Sequence, residues 1–176
     1  VYPGKFKTWK YPLDVIAEAS NICNLQCTMC FHTDDALPIH KTTKVGFMEM
    51  DTFKKIVDEC AKLRIPSLKL NWRGEPMLNH HFTKMVQYAK SRGILEVTSL
   101  TNGTLMDEQV CEEMVKAKLD QIVLSIDGFT KETYEKIRKG ADYNVVIRNL
   151  KHLIAIRGKK KKPFIRLQYT ESDINR

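Results

Sequence analysis

The chain has no apolar run approaching the ~20 residues of a transmembrane helix, which excludes a helical membrane span. Its start, Val1-Tyr2-Pro3-Gly4-Lys5, has no apolar core of a secretory signal. The expectation is therefore a cytoplasmic, reducing compartment. Cysteine is scarce and odd in number: five among 176 residues, three of them clustered, a usage that fits metal binding in the cytosol better than a disulfide framework. No block interleaves arginine with aromatic side chains as a base-stacking platform does, and no repeat is visible at sequence level beyond a β/α rhythm. The net charge of +8 comes mainly from scattered lysines and one run, Lys159 to Lys162, between Gly158 and Pro163. That run reads as a solvated loop joining a helix to a strand, so nucleic acid is not the expected partner.

What is present is an ordinary globular composition, 43% hydrophobic and 28% charged, of one domain's length. Short β-branched or apolar runs alternate with amphipathic helical patterns, the signature of βα units around a parallel sheet. The predicted strands are Val15 to Asn21, Ser67 to Trp72, Leu95 to Thr101, Gln121 to Ile126 and Phe164 to Tyr169. Between them, apolar residues recur at helical spacing: Phe53, Ile56, Val57, Cys60; then Phe82, Met85, Val86, Ala89; then Val110, Cys111, Met114, Val115. A longer crossover holds a short helix near Thr133 to Arg138 and a second through Val146, Leu150, Leu153 and Ile154. Asp51 and Asp107 stand as N-caps, Gly93 and Gly158 as helix stops. Cys60 and Cys111 fall inside their stripes and read as small core residues. The segment from His32 to Phe47 reads as a loop over the remaining cysteines.

Those three, Cys23-x3-Cys27-x2-Cys30, follow the first strand. Three soft thiolates in eight residues hold iron or zinc better than anything else, and iron-sulfur clusters normally take four cysteines. Three in one loop therefore suggest a cluster with one iron open to another molecule. In parallel α/β folds the loops leaving the C-terminal strand ends converge on one face. The cysteine loop, Gly74-Glu75-Pro76, Thr101-Asn102-Gly103 and Ser125-Ile126-Asp127-Gly128 all fall on that rim.

With these motifs the chain, from about Val15 to Tyr169, resembles the radical S-adenosylmethionine (radical SAM) superfamily, in the branch of molybdenum-cofactor biosynthesis and SPASM-type modifying enzymes. The resemblance implies a partial (βα) barrel in which Cys23, Cys27 and Cys30 hold a [4Fe-4S] cluster whose fourth iron is chelated by SAM. Glu75 is then expected to accept from the SAM ammonium, Ser125 to approach the ribose or carboxylate, and Arg138 to pair with the carboxylate. Thr101 belongs to the same site, and Met29 stands where the family usually has a large apolar residue near adenine. Arg73 occupies a position where many relatives have glycine. The implied chemistry is reductive cleavage of SAM to a 5′-deoxyadenosyl radical that abstracts hydrogen from a peptide or small-molecule substrate. The electron would come from a donor such as flavodoxin or ferredoxin. The family also calls for a sixth strand and, in the SPASM branch, a cysteine-rich extension. Residues 1–176, with no initial Met, are thus expected to be the core domain of a longer protein, truncated after the fifth strand.

Blander readings stand beside these. Arg138 in Lys136-Ile137-Arg138-Lys139 reads equally as a solvated helix-end charge, Ser125 as a strand-end hydroxyl, and Asp127 as a turn-former. His80 and His81 start a helix as surface residues. His32 offers a fourth ligand for a Cys3His zinc site, so a zinc-stabilised or basic nucleic-acid-binding module is the competing class.

Overall fold

The computed structural model describes residues 10–31 and 44–176. Five parallel strands form one sheet: β1 (Asp14–Ile16), β3 (Ser67–Lys69), β4 (Glu96–Thr101), β5 (Gln121–Ser125) and β7 (Phe164–Gln168), in spatial order β1-β3-β4-β5-β7. A separate antiparallel pair joins β2 (Gln26–Cys27) to β6 (Arg138–Lys139). The crossovers carry α1 (Met50–Lys62), α2 (Phe82–Ser91), α3 (Glu108–Lys116), α4 (Lys131–Ile137) and α5 (Tyr143–Arg157), with a 3-10 turn at Pro76–Leu78. This is the expected α/β sheet of a partial barrel, and among the described residues it does not close.

Alternation along the strands decides the two faces. Leu68, Leu70, Val97, Ile122 and Leu124 are buried against helix residues such as Phe53, Val57, Met85, Val86, Met114 and Leu153. Ile16, Lys69, Thr98, Gln121 and Phe164 lie in register on the opposite face. Ile16 and Phe164, on the two edge strands, are 45% and 57% exposed, while Val123 and Ser125 on the same face of β5 are buried. Cys60 and Cys111 are buried in the helix layer as expected.

Two strands are shorter than the apolar runs that predict them, and hydrogen bonding explains both. Beyond Ile16 the chain still bonds to its neighbour (Ala17 N–H to Lys69 O, 2.8 Å; Ala19 N–H to Leu70 O, 3.1 Å) while Ala19 O accepts the Met48 N–H and Ser20 bridges to Phe47. The strand end is thus shared with the 44–49 segment. Past Lys69, the Asn71 side chain takes the Leu100 N–H at 2.7 Å, replacing a ladder carbonyl.

Several local expectations need correction. Asp51 is not an N-cap: α1 begins one residue earlier, Glu49 occupies the cap without a side-chain bond, and Asp51 lies in the first turn. Asp107 does cap α3, accepting the Val110 N–H at 2.8 Å, and Gly93 and Gly158 end their helices at positive φ. Ile154 is 46% exposed; the buried stripe of α5 instead includes Asn149, whose amide donates to Gly103 O (2.9 Å). Arg138 caps the C-terminus of α4, its N–H donating to Tyr134 O, and is at the same time the first residue of β6. Within the lysine run, Lys162 is not merely solvated, because its ammonium pairs with Asp120.

Asp120, 6% exposed at the N-terminal end of β5, also accepts from Lys90 Nζ (2.6 Å) and the Val97 N–H (2.8 Å). Burial pushes its carboxyl up, but the bonds from Lys162, Lys90 and the Val97 N–H outweigh that and hold it below the ordinary 3.8. A depressed folded value gives stability that is present above the ordinary pKa and lost as pH falls through the folded one. Asp120→Ala is expected to cost about 1–3 kcal/mol at pH 7, the scale for stranding buried hydrogen-bond partners. Urea unfolding checks this: the gap between variant and parent should narrow below the ordinary aspartate value of 3.8 and stay constant above it.

Candidate active site

Backbone contact between two strand-end loops forms the floor of the site. The cysteine loop leaves β1 and runs directly under the loop that leaves β3. Glu75 N–H donates to Ile22 O at 2.8 Å, and a Cβ built on Gly74 would stand 2.4 Å from Ser20 O and 2.5 Å from Ile22 O. No side chain fits between two backbones at that distance, so glycine at 74 is a steric requirement. Beside it, Arg73 is held by Glu18: the guanidinium Nη2 lies 2.8 Å from one carboxylate oxygen and the Arg73 N–H 2.5 Å from the other.

Glu75 is 2% exposed and ties the β3 and β4 loops together. One oxygen accepts from Thr101 Oγ1 (2.7 Å) and the Met77 N–H (3.2 Å), the other from the Asn102 N–H (2.8 Å). Burial raises its pKa, and the bonds from Asn102, Thr101 and Met77, with the nearby Arg138 charge, oppose the rise. The Asn102 amide continues the network to Asn24 Oδ1 (2.9 Å) and approaches Cys23 Sγ at 4.0 Å, while Asn24 donates to Thr104 Oγ1 (2.9 Å).

Cys27 pairs in register with Arg138 in the β2/β6 ribbon, and a tight turn follows in which the Cys30 N–H donates to Cys27 O (3.1 Å). None of the five cysteines is in a disulfide. Burial pushes the Cys27 thiol up to about 11 against the opposing Arg138 charge, and burial likewise raises Cys23. Such thiols ionise when a metal takes the sulfur. Three soft donors within one loop on the strand-end rim fit an iron-sulfur cluster. Among the described residues no three Cys, His, Asp or Glu side chains are gathered around a single ion. His32, the extra ligand of the zinc alternative, lies outside the described residues, as does most of the predicted loop from His32 to Phe47.

The other predicted residues fall as follows. Ser125 ends β5, is 4% exposed, and makes no side-chain hydrogen bond among the described residues. Met29 is 39% exposed in the cysteine turn. Thr101 is fully buried and committed to Glu75. Arg138 is 8% exposed, which excludes the solvated helix-end charge; its Nη2 lies 2.5 Å from Asp127 Oδ2 and its Nη1 3.8 Å from Cys27 Sγ. Asp127 is not a local turn-former: it is fully buried and accepts from the Thr170 N–H (2.8 Å), 43 residues away. His80 is exposed as expected, whereas His81 is only partly exposed and occupies the N-cap position of α2 without a side-chain hydrogen bond. Asn24, Asn102 and Asp127 are the members that sequence reasoning did not place in the site. Asn102 and Asp127 lie in strand-end motifs that marked their neighbours, whereas Asn24 has no local signal.

The family model described as the Radical SAM superfamily matches residues 18–173, a span that takes in all four rim motifs. The chain belongs to the Radical SAM superfamily. This is a family of enzymes that use a [4Fe-4S] cluster and SAM. Among curated relatives, the tungsten-containing aldehyde ferredoxin oxidoreductase cofactor-modifying protein of Pyrococcus furiosus is 34% identical over 113 residues, 62% of this chain and 29% of that one. The probable GTP 3′,8-cyclase of Methanocaldococcus jannaschii is 28% identical over 137 residues, 78% of this chain and 44% of that one. The chain thus spans less than half the length of either relative. Among solved structures, Streptococcus suis SuiB bound to precursor peptide SuiA has a TM-score of 0.72 at 19% identity, covering 92% of this chain and 34% of that one. That likeness shows a shared radical SAM fold. Among the described residues no helix is long and apolar enough to cross a membrane.

In this radical SAM chain Gly74→Ala is expected to destabilise by about 3 kcal/mol, the upper end for overpacking, because the clash is with backbone that has no rotamer to yield. Denaturant midpoints should fall accordingly, and the iron retained after reconstitution should fall with them. An unchanged midpoint would show that the two loops do not abut as described.

Proposed function

We propose that this chain is the catalytic core that binds a [4Fe-4S] cluster through Cys23, Cys27 and Cys30 and uses it to cleave SAM reductively. The observation that carries this reading is the contact of the loop bearing the three cysteines with the Gly74-Glu75 and Thr101-Asn102 loops on one rim. When bound, the cluster and SAM supply a 5′-deoxyadenosyl radical that abstracts hydrogen from substrate. The protein's own part is to bind, orient and shield.

Glu75 suits recognition of the SAM ammonium: it is a buried carboxylate locked by three donors, and its Asn102-bonded oxygen retains acceptor capacity. A cationic ammonium there would favour the ionised form against the burial that raises its pKa. Ser125 brings to the end of β5 a hydroxyl with no hydrogen bond among the described residues, suited to the ribose or carboxylate. Arg138 brings a cation whose Nε has no hydrogen-bond partner among the described residues, suited to the carboxylate. Met29, half-exposed in the cysteine turn, suits the adenine face. Thr101 acts through Glu75, holding its orientation.

The substrate is inferred to be a peptide or small molecule approaching the sheet face opposite the helix layer, which carries Ile16, Lys69 and Phe164. The names of the relatives support both classes, since one is a GTP cyclase and SuiB was solved with its precursor peptide. A one-electron donor of flavodoxin or ferredoxin type completes the cycle.

Anaerobic reconstitution tests the reading. The parent is expected to take up one brown [4Fe-4S] cluster with matching acid-labile sulfide. Cys27→Ala should abolish it, and Cys60→Ala, a change in the helix layer, should leave iron content unchanged. Colourless protein holding one zinc would overturn the assignment. On the loaded chain, Glu75→Gln is expected to retain iron but weaken SAM binding by about 1.5–3 kcal/mol, the scale of a hydrogen bond to a charged group. If SAM perturbs the cluster spectrum at the same concentrations in variant and parent, Glu75 is a structural staple only.

A further inference from the structure

The ribbon of β2 and β6 places a charged pair against one of the three thiols. Cys27 and Arg138 are register partners, and the ribbon is extended by the Thr28 N–H donating to Ile137 O at 2.9 Å. Through this backbone pairing Arg138 Nη1 reaches Cys27 Sγ at 3.8 Å while Nη2 lies 2.5 Å from Asp127 Oδ2. Both charged residues are withdrawn from water, Arg138 at 8% and Asp127 at 0% exposure. Asp127 is itself anchored twice, its carboxylate by the Thr170 N–H at 2.8 Å and its carbonyl by Asn175 Nδ2 at 2.8 Å. The pair is therefore rigid and has a fixed sense: the cation faces the sulfur and the anion lies behind it.

Recognition of a SAM carboxylate does not by itself call for this arrangement, since a guanidinium aimed at an incoming carboxylate needs neither a thiol nor a buried aspartate as neighbour. Its direct consequence concerns electron affinity. Adding an electron to an iron-sulfur cluster adds negative charge, and cluster potentials respond to nearby charge, hydrogen bonds to sulfur and solvent exposure. In a water-poor site such a charge acts more strongly than on the surface. Arg138 stabilises the reduced state, and Asp127 partly cancels it. Cys23, by contrast, takes neutral donors, the Leu25 N–H and the Asn102 amide, the latter at 4.0 Å.

We infer that the Arg138–Asp127 pair sets the reduction potential of the cluster through Cys27 Sγ, as a positioning and tuning element distinct from any contact with SAM. This rests on the cluster assignment made under Proposed function. The two members of the pair act with opposite sign.

Potentiometric titration followed by electron paramagnetic resonance on the iron-loaded chain, without SAM, tests it. R138Q should lower the midpoint, reducing the reduced-to-oxidised ratio at fixed poise at least tenfold, which is 59 mV for one electron. D127N should move the midpoint the other way. If R138Q leaves the SAM-free midpoint unchanged and only weakens SAM binding, Arg138 is a carboxylate ligand alone and the inference is overturned. Shifts of the same sign in both variants point to packing and also overturn it. Should R138Q fail to load iron, D127N decides: a positive shift supports the pair, and none or a negative one overturns it. A parent chain that takes up no iron and sulfide overturns the cluster assignment itself, and this inference with it.

Discussion

Glu75 is the one carboxylate on which the rim depends. A charged group at 2% exposure survives only if its lone pairs are filled, and the donors that fill them come from its own turn (Met77) and from the end of the neighbouring strand (Thr101, Asn102). The consequence runs outward. With Thr101 and Asn102 fixed, the Asn102 amide is aimed at Asn24 and Cys23, so the first cysteine is positioned by a strand two elements away. Asn149 of α5 donates to the carbonyls of Gly103 and Thr104, at 2.9 and 3.3 Å, and closes the same loop from the helix side. A desolvated anion thus turns separate strand ends into one surface.

Steric exclusion does the complementary part. Gly74 lets the loop after β3 lie against Ser20 and Ile22, and at Gly128 a Cβ would stand 2.6 Å from the Tyr134 nitrogen, so the β5 loop closes equally tightly onto α4. Both approaches deliver polar backbone and charged side chains to the cysteine turn. Cys27 then sits between an apolar layer, which raises its thiol pKa, and the Arg138 guanidinium, which opposes the rise. A buried thiol next to a held cation is poised to become a metal thiolate and poorly disposed to ionise in water.

Much of this was legible in the sequence because two periodicities rarely conflict. The stripe Phe82, Met85, Val86, Ala89 is buried in full, and each of the five sheet strands lies within or overlaps an apolar run. The rim motifs were legible for a topological reason: in a parallel sheet every strand ends on the same side, so unusual residues after successive strands must converge. The cysteine spacing carried its own chemistry, since three soft donors in eight residues have few other uses.

What the sequence by itself determined, then, is the βα order, the helix faces and the metal-binding class, all of which follow from local spacing and donor type. Tertiary structure alone decided the partners of the charges. Asp127 finds Arg138 and Thr170, Lys162 finds Asp120, and Arg73 finds Glu18, across 11, 43, 42 and 55 residues of chain respectively. Spacing along a chain says nothing about such pairs, because their energy depends on burial and on which strand ends lie side by side. The same reason separates Ile154, which faces solvent, from Asn149, which is buried in its place. A hydrophobic pattern predicts that a face exists, and only packing selects which polar group on it is fully satisfied.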